Sequence, residues 1–221
     1  MLQRFSSNAG ADGASSASAD VVRADVLLVG GGLANALIAL RLRKARPDLR
    51  VVMLERRSGA AGEHTWSLFE TDAAPSAWSW LKPLLSRTWS GYDVAFPSHA
   101  RTLSTVYGSL DEARLDAHLE AALGVDLVRG VEVREVGPHH AVAGARRWSA
   151  PLVIDGRGAR PSPALRLAWQ KFLGRDVRLA APHGLERPVV MDATVDQLDG
   201  YRFVYLLPLS ADTLMIEDTY Y

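Results

Sequence analysis

Apolar residues fall in short runs separated by glycine turns and helix-forming stretches, and the order of these runs predicts the elements. Residues 25–29, ending in Val26-Leu27-Leu28-Val29, read as a strand. Gly30-Gly31-Gly32 then turns into a helix expected over 33–45, which Pro47 closes before a second apolar strand over 50–55. That is a βαβ unit. Farther on, Ser109-Leu110-Asp111-Glu112 has the S-x-x-E pattern of a capping box, and Leu115, Leu119, Ala122 and Leu123 recur at helical spacing, so a helix is expected over 110–123. Residues 130–136 and 140–143 alternate around Gly137-Pro138 as a β-hairpin would, and Leu152-Val153-Ile154-Asp155-Gly156 is another apolar strand ending in an acid and a glycine turn. From about residue 185 the pattern changes to strands at 188–193, 201–207 and 214–220, which read as an antiparallel sheet. The stretch from Ser6 to Asp20 is mostly Ala, Ser, Gly and Asp, too poor in apolar surface to offset the entropy of ordering. The expected class is therefore α/β: a flexible tail over 1–23, a Rossmann-like domain with insertions over 24–180, and the start of an antiparallel-sheet substrate region over 181–221.

The glycine turn carries the first chemistry. Gly30 can take a turn that a Cβ would obstruct, Gly32 lets backbone approach a pyrophosphate, and the amides opening the helix at Leu33 and Ala34 point toward that negative charge. The G-x-G-x-x-G signature is imperfect, since Asn35 stands at its third glycine. Glu55, at the end of the second strand, is placed to accept hydrogen bonds from a ribose and favours a free 2′-hydroxyl over a 2′-phosphate. Asp155 and Gly156 end a strand at the edge where nucleotide sites collect, so this turn is expected to return to the same cofactor. Small residues in Gly59-Ala60-Ala61-Gly62, leading to His64, would let that loop run beside it. The competing readings are an ordinary strand-to-helix turn with a solvated Glu55, and a plain surface loop.

Composition narrows the classes. With 221 residues and 48% hydrophobic content the chain can bury a substantial core, and 25 basic against 25 acidic residues argue against a broad nucleic-acid surface. The absence of cysteine removes disulfides, thiol nucleophiles and thiolate metal sites, which fits a reducing compartment. His139-His140 lacks metal-ligand spacing, and no metal is expected. No segment has the roughly 18 apolar residues needed to cross a bilayer. Trp78, Trp80 and Trp89 with Lys82 and Arg87 could sit at a membrane interface or form a core helix broken by Pro83; the lack of a clean amphipathic stripe favours the core. Asp111 and Glu112 resemble an acid/base pair, but a first helical turn favours a structural role.

Several blocks resemble the flavin-dependent lycopene cyclases of carotenoid biosynthesis, especially the bacterial β-cyclase type. They are Asp25 to Asn35, Glu63-His64-Thr65-Trp66-Ser67, Val153 to Gly158, Ala181 to Leu185, Met191 to Asp196, Gly200 to Tyr205 with Leu207 to Ser210, and Ile216-Glu217-Asp218-Thr219. The resemblance implies FAD, kept reduced by NAD(P)H and held by Gly30, Gly31, Gly32, Leu33, Ala34, Glu55, Arg56, His64, Asp155 and Gly156. It implies lycopene β-cyclase activity, an acid-initiated closure of lycopene ψ-ends to β-rings with no net redox change, with Glu217 as the acid and Asp218 as the alternative. The alternation of strand side chains lets only one of these two face a channel. Desolvation disfavours a carboxylate, and Leu214, Met215 and Ile216 suit such an environment for Glu217. A cytoplasmic enzyme in peripheral membrane contact is implied, because lycopene dissolves only in lipid. Family members extend beyond this chain, which implies an N-terminal portion truncated at the C-terminus, with an unpaired sheet edge at 214–220. The alternatives are a flavin-dependent hydroxylase or prenyl reductase on the same scaffold, and an inactive binding fragment.

Overall fold

The computed structural model describes residues 20–58, 64–159 and 161–221. Strands β1 (Val21–Arg23) and β2 (Val26–Val29), helix α1 (Leu33–Ala45) and strand β3 (Val51–Leu54) come first. The helix and both βαβ strands match the expectation. β1 lies inside the stretch expected as a tail: it pairs in parallel with a later strand, at Arg146–Ser149. The loop expected at 59–62 lies outside the described residues.

β4 (Thr65–Phe69) follows, and α2 (Pro75–Leu81) begins on Pro75, whose fixed φ suits a first helical position. A short 3-10 turn holding Pro83 ends it, and burial of Trp78 and Leu85 gives this tryptophan-rich stretch to the core. Next come β5 (Arg87–Trp89), β6 (Tyr92–Phe96), β7 (His99–Leu103), β8 (Tyr107–Asp111) and α3 (Glu112–Leu123). The helix starts later than the S-x-x-E pattern suggests. Ser109 and Leu110 are consumed by the β8 ladder, and Asp111 is the cap, accepting from the Arg114 N–H at 2.7 Å. Then come β9 (Leu127–Val128), β10 (Glu135–Gly137), β11 (His140–Ala143), β12 (Arg146–Ser149), β13 (Leu152–Asp155), β14 (Lys171–Arg178), β15 (Val189–Asp192), β16 (Arg202–Pro208) and β17 (Thr213–Tyr220).

Four parallel strands in the order β13-β2-β3-β9 make the central sheet. Alternate side chains sort to its two faces. Val26, Leu28, Val51 and Met53 pack with Ala36 and Ala39 of α1 and Leu115 and Leu119 of α3, while Leu27, Val29, Val52 and Leu54 pack against Ala141 and Trp148 of the sheet β1-β12-β11-β10. β2 and β3 are buried at every residue because both faces are covered, which is why their sequences are unbroken apolar runs.

The largest sheet runs β14-β17-β16-β15-β6-β7, and a small one runs β4-β8-β5. The strands expected near 188–193, 201–207 and 214–220 are all present, but the sheet also recruits Tyr92–Leu103 and Lys171–Arg178, so it draws on chain well before residue 181. β17 is not the unpaired edge that the sequence suggested. It is hydrogen-bonded to β16 on one side and β14 on the other, and among the described residues the sheet ends at β14 and β7. No helix among the described residues is long and apolar enough to cross a membrane.

Candidate functional site

The carboxyl end of β2 turns through Gly30, whose φ of +93° lies in the left-handed region. A Cβ there would stand 2.9 Å from the Gly156 carbonyl oxygen, so the glycine is required by close approach as well as by conformation. Asn35 explains the departure from the third glycine. It is 2% exposed, and its Nδ2 donates to the carbonyls of Val29 at 3.1 Å and Gly30 at 2.8 Å, tying the first turn of α1 to the strand end. A Cβ on Gly156 would collide with Asn35, so the β13 turn is fitted to this side chain. At Gly32 an added Cβ meets nothing within 4 Å, and no side chain caps α1. The amides of Leu33 and Ala34 thus open a helix beside bare backbone.

Glu55 reaches back across this turn: its Oε2 accepts from the Gly31 N–H at 2.6 Å and its Oε1 from the Arg57 N–H at 2.8 Å. Each oxygen retains a lone pair for another donor. A cleft of about 240 Å³ opens here, lined by Gly31, Gly32, Leu33 and Glu55 together with Arg57, His64, Trp66, Glu112 and Arg129. Glu112, nearly buried at the start of α3, accepts a hydrogen bond from the Arg57 guanidinium, and its other oxygen lies 2.9 Å from His64 Nδ1. The Glu112 carboxylate raises the Arg57 pKa, so this cation is held charged at the mouth of the cleft. His64 stacks on Trp66 with ring centroids 5.8 Å apart, and Arg129 bonds Asp116 at 2.5 Å.

Of the residues expected at a cofactor, Gly30, Gly31, Gly32, Leu33, Ala34, Glu55, His64 and Gly156 therefore gather where β2, β3 and β13 end. Arg56 is exposed and absent from the lining, where Arg57 stands instead. Asp155 engages the Arg157 guanidinium through both oxygens, at 2.7 and 2.6 Å. Arg57 and Arg129 escaped the sequence reading, Trp66 entered it only within the Glu63–Ser67 block, and Glu112, assigned there a structural role at the helix start, lines the cleft. Its place is explained by the 112, 115, 119, 123 spacing it shares with the buried leucines, which puts it on the covered face of α3. No metal-binding cluster of His, Cys, Asp or Glu occurs among the described residues.

Glu217 and Asp218 lie elsewhere, on β17, second from one edge of the large sheet, and outside this lining. They point to opposite faces. Glu217 is half-buried, sits across from Gly174 on one side and Tyr205 on the other, and accepts from the Thr219 hydroxyl at 3.1 Å. On this face Tyr205, Leu207 and Met215 meet Tyr107, Phe69 and Trp89. Burial pushes the Tyr107 phenol up to about 12, and burial followed by the Glu217 charge raises Tyr205. Asp218 is gripped by the Arg202 guanidinium at 2.8 and 2.9 Å, which holds its carboxyl below the usual range.

A glycine turn on a parallel sheet, with a large, mainly antiparallel sheet alongside, is the α/β fold found in FAD-dependent enzymes. A probable FAD-dependent monooxygenase from Pseudomonas aeruginosa shares the fold with a TM-score of 0.67 at 16% identity over 90% of this chain and 60% of its own. A geranylgeranyl bacteriochlorophyll reductase-like protein from Thermoplasma acidophilum does so with a TM-score of 0.61 at 16% identity over 90% and 57%. Within that class the chain belongs to the lycopene cyclase family, whose profile, described as lycopene cyclase protein, matches residues 25–221. Lycopene beta-cyclases from Pseudescherichia vulneris and from Paracoccus sp. (strain N81106 / MBIC 01143) are each 48% identical to it over 198 residues, covering 89% of this chain and 51% of theirs. The chain thus spans about half the length of the curated relatives it matches.

Proposed function

We propose that this chain carries the FAD cradle and the acid of a lycopene β-cyclase, an enzyme that closes the ψ-ends of lycopene into β-rings without net redox change. The observation that carries the reading is the uncapped start of α1 at the open Gly32, directly beside the Glu55 carboxylate. These residues fit an adenine dinucleotide: the Gly32, Leu33 and Ala34 backbone would hold the pyrophosphate, Glu55 the ribose hydroxyls, and Arg57 the remaining negative charge. Reduced FAD, replenished by NAD(P)H, would supply negative charge that stabilises a substrate carbocation.

Lycopene offers only C=C bonds, so reaction must start by protonating one. The Glu217 carboxyl would give its proton to a terminal double bond, the neighbouring double bond would attack the resulting cation, and loss of a ring proton would complete an isomerisation. Tyr205, opposite Glu217 and kept neutral by burial, would turn an aromatic face toward the positive charge. Asp218, paired to Arg202, stays ionised and is a poor donor; its role would be to fix the register of β16 on β17. Lycopene's solubility implies peripheral membrane contact for loading.

The test is to supply a lycopene-converting form of the protein with FAD, NADPH and lycopene under reducing conditions. A product of unchanged mass carrying β-rings is expected, with Glu217→Gln abolishing ring formation while FAD binding persists. Cyclisation that survives Glu217→Gln would refute the acid assignment, and a product changed in mass would point instead to a flavin-dependent oxidoreductase on this scaffold.

A further inference from the structure

Gly174 stands in the middle of β14, directly across the ladder from Glu217. A glycine inside a strand weakens it, and here neither backbone conformation nor crowding demands one. Its φ lies outside the left-handed region, and a Cβ built on it would make only ordinary contacts, 3.7 Å from Glu217 Oε2 and 3.8 Å from Met215 Sδ. What the glycine provides is room. Residues opposite one another share a face, so Phe172, Gly174 and Asp176 run beside Thr219, Glu217 and Met215, and the missing side chain leaves a notch at the Glu217 carboxyl. The other carboxyl oxygen is already engaged. Thr219, with no exposed surface and with Phe172 and Phe203 across the ladder on its two sides, donates its hydroxyl to Glu217 Oε1 at 3.1 Å. A buried hydroxyl left unpaired would carry its full desolvation cost, which holds it to this partner. The two oxygens of Glu217 are therefore unequal.

We infer that Thr219 is a positioning residue that fixes Oε1 as the accepting oxygen, so that Oε2 carries the acid proton, and that the Gly174 notch admits the branched end of the polyene to that oxygen. The inference rests on the cyclase reading given above. As the Oε2–H bond breaks, the π electron pair of the terminal double bond forms the new C–H bond, and the electron pair left on oxygen spreads over the carboxylate. A hydrogen bond to an ionised acceptor is stronger than one to a neutral acceptor, so the Thr219 bond tightens while the substrate cation forms. The hydroxyl thus does more for the transition state than for the resting acid. The proton lost on ring closure passes to water, which also restores the carboxyl, and the sum is an isomerisation. Gly174 acts by what it lacks: a side chain at this position would occupy the space through which a bulky, dimethyl-substituted terminus reaches Oε2.

The experiment compares Thr219→Val, Thr219→Ser, Gly174→Ala and Gly174→Val in a lycopene-converting form of the protein. Thr219→Val, nearly the same shape without the hydroxyl, should lower kcat by about tenfold or more with KM changed by less than about twofold, and Thr219→Ser should recover most of the loss. Gly174→Val should lower kcat/KM by about a hundredfold or more, and Gly174→Ala by less. The urea midpoints of both Gly174 variants should be no lower than that of the wild type, because a strand favours a β-branched residue over glycine; a glycine kept only for packing would give the reverse pattern. A readout independent of turnover comes from infrared spectra of the 221-residue chain at acid pH. The carboxyl C=O band that Glu217→Gln removes should move to higher frequency in Thr219→Val, as expected for a carbonyl that loses a hydrogen bond, and return in Thr219→Ser. Undiminished kcat in Thr219→Val, or full activity in Gly174→Val, overturns the inference. If the band shifts but lycopene stays linear in the wild type, the cyclase reading fails and takes the inference with it; if cyclisation depends on Glu217 and the band stays in place in Thr219→Val, the positioning role alone fails.

Discussion

The parallel sheet and the large, mainly antiparallel sheet of this protein are built on opposite logics. In the first, β2 and β3 are buried at every residue, joined by one helix, and clad on one face by helices and on the other by β1-β12-β11-β10. Its glycine turn and Glu55 come from nearby chain, while β13, β9 and α3, much later in the sequence, complete and cover it. In the second, β6 pairs with β15 about a hundred residues later, register shifts occur at β15, and one edge strand lies almost wholly in solvent. The contrast teaches that the glycine-turn region is enclosed on both faces of its sheet, whereas Glu217 lies on a half-buried strand beside an exposed one.

Core truncation tests the contrast most severely. Leu28→Ala, at a residue with no exposed surface, should lower unfolding free energy by about 2–5 kcal/mol, while Phe172→Ala in β14 should stay within about 0.5 kcal/mol. Urea denaturation of the two variants measures the gap, and equal losses would mean that the antiparallel edge is already packed. A second effect lies between the regions, at Tyr107. Its phenol rises from 10.0 to about 12 through burial, a preference for the neutral form worth about 2–3 kcal/mol. A raised folded-state value gives stability that is complete below about pH 10 and fades as pH climbs toward 12. Wild-type protein should therefore lose stability across that window, and Tyr107→Phe should flatten the decline; an unchanged alkaline slope in the variant would show that another group controls it.

Legibility in the sequence followed the same division. The βαβ unit could be read almost to the residue because strand, glycine turn, helix and acid are contiguous between Asp25 and Glu55 and each obeys a local rule. β14 could not, because nothing in Lys171–Arg178 alternates until β17 is available to pair with it. The edge expected at β17 went astray for the same reason: sheet order is set by pairings between distant segments, which periodicity does not report. At the site, Gly30, Gly32 and Glu55 declared themselves through backbone geometry and position. Arg57 and Glu112 did not, since their partnership spans 55 positions and exists only once α3 lies beside the end of β3. Ser109 misled because its capping pattern was genuine locally but the β8 ladder took that residue first.

Two smaller effects bear on the glycine-turn side of the comparison. Glu55→Gln removes the negative charge that the Gly31 and Arg57 amides share and that the proposal offers to a ribose, so FAD affinity of the isolated chain should fall by roughly tenfold, about 1.5 kcal/mol, with the fold intact. Fluorescence titration measures it, and an unaltered dissociation constant would remove Glu55 from the site. The smallest change is expected at the cap of α3. Asp111 accepts from the Arg114 N–H at 2.7 Å, an amide that α3 cannot pair internally, and from the Ser86 hydroxyl. Asp111→Ala should cost about 1 kcal/mol of stability, and Asp111→Asn, which keeps a side-chain acceptor, should restore most of it. Because Glu112 follows the cap directly and holds Arg57, fraying of this turn should also loosen the guanidinium at the cleft. A slightly weaker FAD affinity in Asp111→Ala, recovered in Asp111→Asn, would tie cap and cradle together; a stability loss without any change in affinity would show that Arg57 keeps its place without the first turn of α3.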